Sequence, residues 1–96
     1  MTRFADPSSE EVYKTGFTGR LPRGQCHKAR WLLHLLLAAH DLQDVGVIGR
    51  IARWPGKRDR YGVHLHERWF ITFTWESLLG ATGIKLERRH VNRGTT

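Results

Sequence analysis

The apolar positions of this chain follow two rhythms. Ala29, Leu32, Leu33, Leu36 and Leu37 fall at i, i+3, i+4, i+7 and i+8, the spacing of one helix face. That spacing predicts a helix from about Gln25 to Ala39. Trp31, Leu35 and Ala38 make a second apolar stripe beside the first. The first stripe is expected to pack against a sheet, and the second either packs too or is kept for a protein partner. Upstream, "DPSSEEVYKTG" reads as a shorter helix. Ser8 or Ser9 caps it, Glu10 and Glu11 lie in its first turn, and Gly16 stops it. "TRF" before it can be a short first strand, and "FTGRLPRGQ" after it is a connection broken by Gly19, Pro22 and Gly24. "HDLQDVGVIG" reads as part helix, part loop.

From Gly49 the period changes to two. "RIARW" reads as a strand and "PGKRDR" as a basic turn, after which "YGVHLH" and "WFITFTW" alternate. Tyr61, Val63, Leu65, Trp69, Ile71, Phe73 and Trp75 fall on one face. Gly62, His64, His66, Phe70, Thr72 and Thr74 fall on the other. "ESLLG" turns the chain and "ATGIKLERRH" gives a last strand, with Ile84 and Leu86 inward. Helices first and a meandering antiparallel sheet afterwards make an α+β fold, with the N-terminal helices packed on one face of the sheet. The face bearing His64 and Phe70 is then left open. Trp31, Trp54, Trp69 and Trp75 are assigned mainly to the core, with Trp54, next to Pro55 at the turn, the one to watch. Residues 1–96 form a single domain, with 91–96 as a frayed tail.

Charge sharpens this reading. The chain has 16 Lys+Arg against 9 Asp+Glu, a net charge of +7. From Arg50 onward 10 basic residues stand against 4 acidic, whereas residues 1–49 hold 6 and 5. A basic half points to a polyanion, nucleic acid before membrane. The lone cysteine, Cys26, excludes an intrachain disulfide and a cysteine-based zinc site. No secretory signal is visible, and "WLLHLLLAA" is too short to span a bilayer. A soluble cytoplasmic protein is expected, with no membrane partner.

The chemistry open to these residues is limited. Glu67, Glu76 and Glu87 are scattered, unlike the clustered carboxylates of a two-metal nuclease. His64 and His66 lack a third ligand, so neither a metal nor another cofactor is expected. "PGKRDR" is not a Walker loop, and no G-x-S-x-G elbow occurs. Lys, Arg and His around an open sheet suit metal-free RNA cleavage. In that reaction the ribose 2′-OH attacks the neighbouring phosphate, with one group taking a proton, another giving one, and cations holding the developing charge. Phe70 is placed to stack an unpaired base or, equally, to cover an apolar patch or meet a protein partner.

The stretches "RWPGKRDRYGVHLHERWFITFTW", "LLGATGIKLERRH" and, upstream, "LLLAAHDLQDVGVIGRIA" resemble the HigB branch of the RelE superfamily. These are the toxins of type II toxin–antitoxin systems, or plasmid-maintenance killer proteins. The family pattern runs as a strand ending in L-x-G-D-R, then Y-[SG]-[IV]-R-[IV]-x-x-x-W-R-I-x-F-x-[FW], then G-x-A, a short strand and a closing D-Y-H. The resemblance covers about Leu21 to His90, and the W-x-I-x-F-x-W core with the closing His is its most specific part. It implies a RelE-like fold and a ribosome-dependent mRNA endoribonuclease. It also implies a cognate antitoxin, usually with a helix-turn-helix domain, alongside the ribosome and mRNA as partners. His90 matches the closing histidine and Arg58 the Arg of the G-D-R turn, and these two become the catalytic candidates. Lys57, Arg60, His64, His66, Phe70, Arg88 and Arg89 are the candidate RNA contacts.

Several positions depart from the pattern. Phe70 replaces the Arg after Trp, His64 the strand Arg, and Lys57 the Asp after the glycine. Pro55 stands where a Lys is frequent, and Arg88 and Arg89 replace the Asp-Tyr before the closing His. These departures define the alternative, a catalytically impaired RelE-like module that binds RNA or the ribosome.

Overall fold

The chain begins by fastening its own start to its last strand. In the computed structural model, which describes residues 3–48, 51–55 and 59–88, Asp6 does this. Its Oδ1 accepts from the Ser9 amide at 2.7 Å and caps the first helix, α1 (Pro7–Thr15). Its Oδ2 accepts from the Leu86 amide and from Arg20 Nη1, both at 3.2 Å. The cap is therefore Asp6, not Ser8 or Ser9. Proline is accepted in the first turn, where no intrahelical amide bond is lost. Ser9 instead lies buried inside the helix, its hydroxyl donating to the Ile84 carbonyl at 3.1 Å. Gly16 ends α1 at φ 82°, the left-handed conformation that glycine adopts most readily. Of the expected first strand, Phe4 makes a parallel bridge with Ile84, and Thr2 lies outside the described residues.

The second helix, α2 (Arg23–Ala38), starts directly after Pro22 and so runs two residues further upstream than its apolar spacing predicts. Ala29, Leu32, Leu33 and Leu36 are buried and Leu37 is partly buried. Each such leucine removed from water contributes about 1.5–3 kcal/mol. The second stripe stays outside: Trp31 is 52% exposed, Ala38 is exposed and Leu35 is half-buried. A third helix, α3 (Leu42–Ile48), follows, with two main-chain amides bound by carboxylates at its start. The Asp44 amide donates to Asp41 Oδ1 at 2.9 Å, and the His40 amide donates to Asp44 Oδ2 at 3.0 Å.

The sheet is an antiparallel meander, β1 (Ile51–Arg53), β2 (Arg60–His66), β3 (Trp69–Glu76) and β4 (Gly80–Arg88), in that order across the sheet. Val63, Leu65, Ile71, Phe73, Ile84 and Leu86 point to the helices and join α1 and α2 in one core, with Trp69 and Trp75 partly buried at its margin. Three helices on one face of four antiparallel strands make this part of the chain α+β. Two irregularities shape the sheet. Between His64 and His66 the register slips, so that His64 faces Phe70 and His66 faces Trp69, with Leu65 as the extra residue. Lys28 from α2 donates to the Leu65 carbonyl at 2.8 Å, satisfying a main-chain group at the bulge. Between Thr72 and Thr74 the extra residue lies on β4, where Gly83 takes φ 58°.

Candidate nucleic-acid interface

The face of the sheet turned away from the helices carries Arg60, Gly62 and His64 from β2, Phe70, Thr72 and Thr74 from β3, and Lys85 and Glu87 from β4. The helices leave it uncovered, but one side chain leans over it. Pairing of Ala52 with Gly62, and the Trp54 amide donating to the Arg60 carbonyl at 2.7 Å, put Trp54 on this face. Trp54 is thus not a core residue, because strand alternation carries it with Ala52 rather than with Ile51. Its indole lies directly on Gly62: a Cβ at that position would come within 2.7 Å of the ring. Only glycine allows so close an approach.

The face divides into two parts that meet at the Gly62–Thr72 pair. One part is aromatic. Trp54 and Phe70 have ring centroids 5.3 Å apart, and His64 meets Phe70 edge-on at 5.2 Å. His64 is exposed, and its Nε2 lies 2.9 Å from the Glu67 carbonyl oxygen. A carbonyl only accepts, so Nε2 carries the hydrogen and donates it. Phe70 is partly buried, with Trp54 and His64 against its ring. This row of rings is a surface on which an unpaired base can lie.

The other part is polar. Arg60 is only 8% exposed, although it stands on the open face. Its Nη2 donates to the Thr72 hydroxyl at 2.8 Å and its Nη1 to the Thr74 hydroxyl at 3.1 Å. Thr72 in turn donates to Glu87 Oε1 at 2.9 Å. Lys85 Nζ and Arg60 Nη2 each lie 3.7 Å from the same carboxylate oxygen. Gly83 makes room for the guanidinium, since a Cβ there would meet Arg60 Nη1 at 3.1 Å. Trp54, Pro55, Arg60, Thr74, Lys85 and Glu87 enclose a cleft of about 320 Å³.

Of the residues expected to contact RNA, Arg60, His64 and Phe70 are brought together on this face. The other described ones are not. The bulge at Leu65 takes His66 out of alternation, opposite Trp69, and its Nε2 lies 3.5 Å from Glu67 Oε1. Arg88 also pairs with Trp69, so alternation gives it to the helix side of the sheet. Arg60 itself is held by two hydroxyls and a carboxylate rather than standing free for a phosphate. Lys57, Arg58, Arg89 and His90 lie outside the described residues. Lys85 and Glu87 are not among the site residues expected from the sequence, and Trp54, singled out there beside Pro55, is given no role in the site. Lys85 and Glu87 alternate with the inward Ile84 and Leu86, which was the signal that places them. Among the described residues, no group of three or more His, Cys, Asp or Glu could hold a metal ion, and no helix is long and apolar enough to cross a membrane.

Compared with known proteins, the chain matches no family model and no curated relative.

Proposed function

We propose that this chain is the toxin of a type II toxin–antitoxin system, a HigB-like member of the RelE superfamily that cleaves mRNA on the ribosome. The observation that carries this reading is the uncovered sheet face, where the Trp54–Phe70–His64 row adjoins the Arg60–Lys85 cluster. That face lies within the stretch whose W-x-I-x-F-x-W pattern resembles those toxins. A single RNA strand would stack bases on the rings and run its phosphates past the cations of the basic turn and last strand. Cleavage would proceed by attack of the 2′-OH on the adjacent phosphate. His90 would act as general acid or base, and Arg58 would stabilise charge on the phosphorane. The working compartment would be the cytoplasm. The partner would be an antitoxin, for which exposed Trp31 and its neighbours Leu35 and Ala38 on α2 offer an apolar surface.

The test is induction without the antitoxin, with transcript 5′ ends mapped across the transcriptome. Growth arrest with cuts confined to translated regions is expected. Normal growth with intact transcripts would overturn the proposal.

A second reading is favoured by one observation. Phe70 stands where the pattern has a phosphate-holding Arg, and the nearby Arg60 guanidinium is engaged by Thr72, Thr74 and Glu87. The chain would then bind RNA or the ribosome without cutting. Salt-sensitive ribosome binding with no cleaved transcript would select this reading.

A further inference from the structure

The cleft beside Trp54 has a composition that a phosphate site does not need. It holds a carboxylate between two cations, with an aromatic ring as one wall. We propose that it is a nucleobase pocket selective for guanine, with Glu87 and Lys85 reading the base edge and Trp54 stacking on its face. The proposal rests on the RNA-binding reading of this sheet face and names what one position on it selects.

Glu87 is the centre of the cluster. Its Oε1 accepts from Thr72 and lies near both cations, and its Oε2 has no hydrogen-bond partner among the described residues. The carboxylate is thus held in place with acceptor capacity to spare. Thr72 is fully buried and is itself held by Arg60, so the chain Arg60–Thr72–Glu87 fixes the carboxylate's orientation before any ligand arrives. A carboxylate of fixed orientation suits two parallel N–H donors. Guanine alone among the four RNA bases presents them, N1–H beside the N2 amino group. The next atom along that edge is O6, an acceptor, and Lys85 Nζ lies 3.7 Å from the carboxylate to donate to it. Uracil offers one N–H flanked by two carbonyls, which a carboxylate repels. Adenine and cytosine each set a ring-nitrogen lone pair beside their single amino group. A site built around hydrogen-bonding groups rejects ligands that leave those groups unpaired. Unstacked RNA bases are read along this edge. The cleft volume of about 320 Å³ lies at the small end of ligand sites, which start at about 300 Å³.

The experiment is an NMR titration of the intact chain with GMP, AMP, CMP and UMP separately, and with inorganic phosphate as the control for charge alone. GMP is expected to bind about tenfold or more tighter than the other three, shifting the Trp54 indole and the Lys85 and Glu87 amide resonances. Glu87→Gln replaces one acceptor by a donor and should bring GMP to the level of AMP while phosphate binding does not fall, since the substitution removes a negative charge from between two cations. If Glu87→Gln fails to fold, Lys85→Met should still lower GMP affinity more than UMP affinity. Equal binding of all four nucleotides, or shifts that avoid these three residues, would overturn the proposal. So would an unaltered GMP preference in a folded Glu87→Gln protein. No ribosome or cleavage enters the assay. A chain that cuts nothing yet prefers GMP sinks only the nuclease reading. A chain that cuts transcripts while binding all four nucleotides alike sinks only the guanine pocket.

Discussion

Arg60 and Thr72 are joined across the β2–β3 pair by a 2.8 Å hydrogen bond, and through it a nearly buried guanidinium is built into an otherwise open sheet face. The hydroxyl accepts from the arginine and donates onward to Glu87. Replacing Arg60 by Met removes that donor, leaves the Thr74 hydroxyl without it, and strips the Glu87 carboxylate of one cation. Hydrogen bonds from charged groups carry about 1.5–3 kcal/mol each at partly buried sites. Arg60→Met is expected to destabilise the fold by about 2–3 kcal/mol in urea unfolding. Arg60→Lys keeps the charge but not the two-pronged geometry and should recover less than half of the loss. Wild-type stability in Arg60→Met would mean that the cluster does not hold the sheet.

Gly62 is the seat of Trp54. A methyl at position 62 would come 2.7 Å from the indole, so the ring must leave. Gly62→Ala is expected to cost about 1–2 kcal/mol net of the entropy gained by losing a strand glycine. It should also break the Trp54–Phe70 contact. Quenching of tryptophan fluorescence by iodide should rise, and unchanged quenching would count against the placement of the ring.

Phe70→Ala is the substitution that tests the proposed RNA affinity apart from stability. Its ring sits on the open face among other rings, not in the helix-side core. Phe70→Ala should weaken single-stranded RNA binding by about 1–3 kcal/mol, the range for one stacked base. The thermal midpoint should fall far less than for Phe73→Ala, which empties a fully buried position. Equal RNA affinity with and without the ring would remove stacking from the account.

Asp6 links three elements. It caps α1, accepts from the Leu86 amide and pairs with Arg20, whose guanidinium also lies over Trp69 at 5.5 Å. Asp6→Ala should cost about 1–2 kcal/mol, and Asp6→Asn, which keeps the cap, clearly less. Hydrogen exchange in α1 and the second half of β4 should speed up in Asp6→Ala, and protection that stays unchanged there would argue against the linkage.

The order of elements and the inward face were legible because they rest on periodicity: Leu32, Leu33 and Leu36 at helical spacing, Ile71 and Phe73 at strand spacing. What periodicity does not carry is register. The bulge at Leu65 moved His66 off the face it shares with His64 by strict alternation, and one inserted residue suffices for that. Trp54 stands out beside Pro55, but a tryptophan counts as core by composition, which assigns it no face. Its side follows from the pairing with Arg60 between β1 and β2, which composition does not reveal. The cap at Asp6 was hidden by two adjacent serines of equal capping ability, with the choice made by the β4 amide that only the folded chain brings near. Lys85 and Glu87 were on the right parity but gain meaning only beside Arg60, from a strand some 25 residues away.

The central claim is that RNA lies on the helix-free face of the sheet. Ultraviolet cross-linking of a short single-stranded RNA to the chain, with the linked peptides identified by mass spectrometry, tests it most directly. The account predicts cross-links at Phe70 and Trp54 that fade with rising salt and are lost in Phe70→Ala. Cross-links concentrated at Trp31 on the outer side of α2, with Phe70 and Trp54 unmodified, would contradict it.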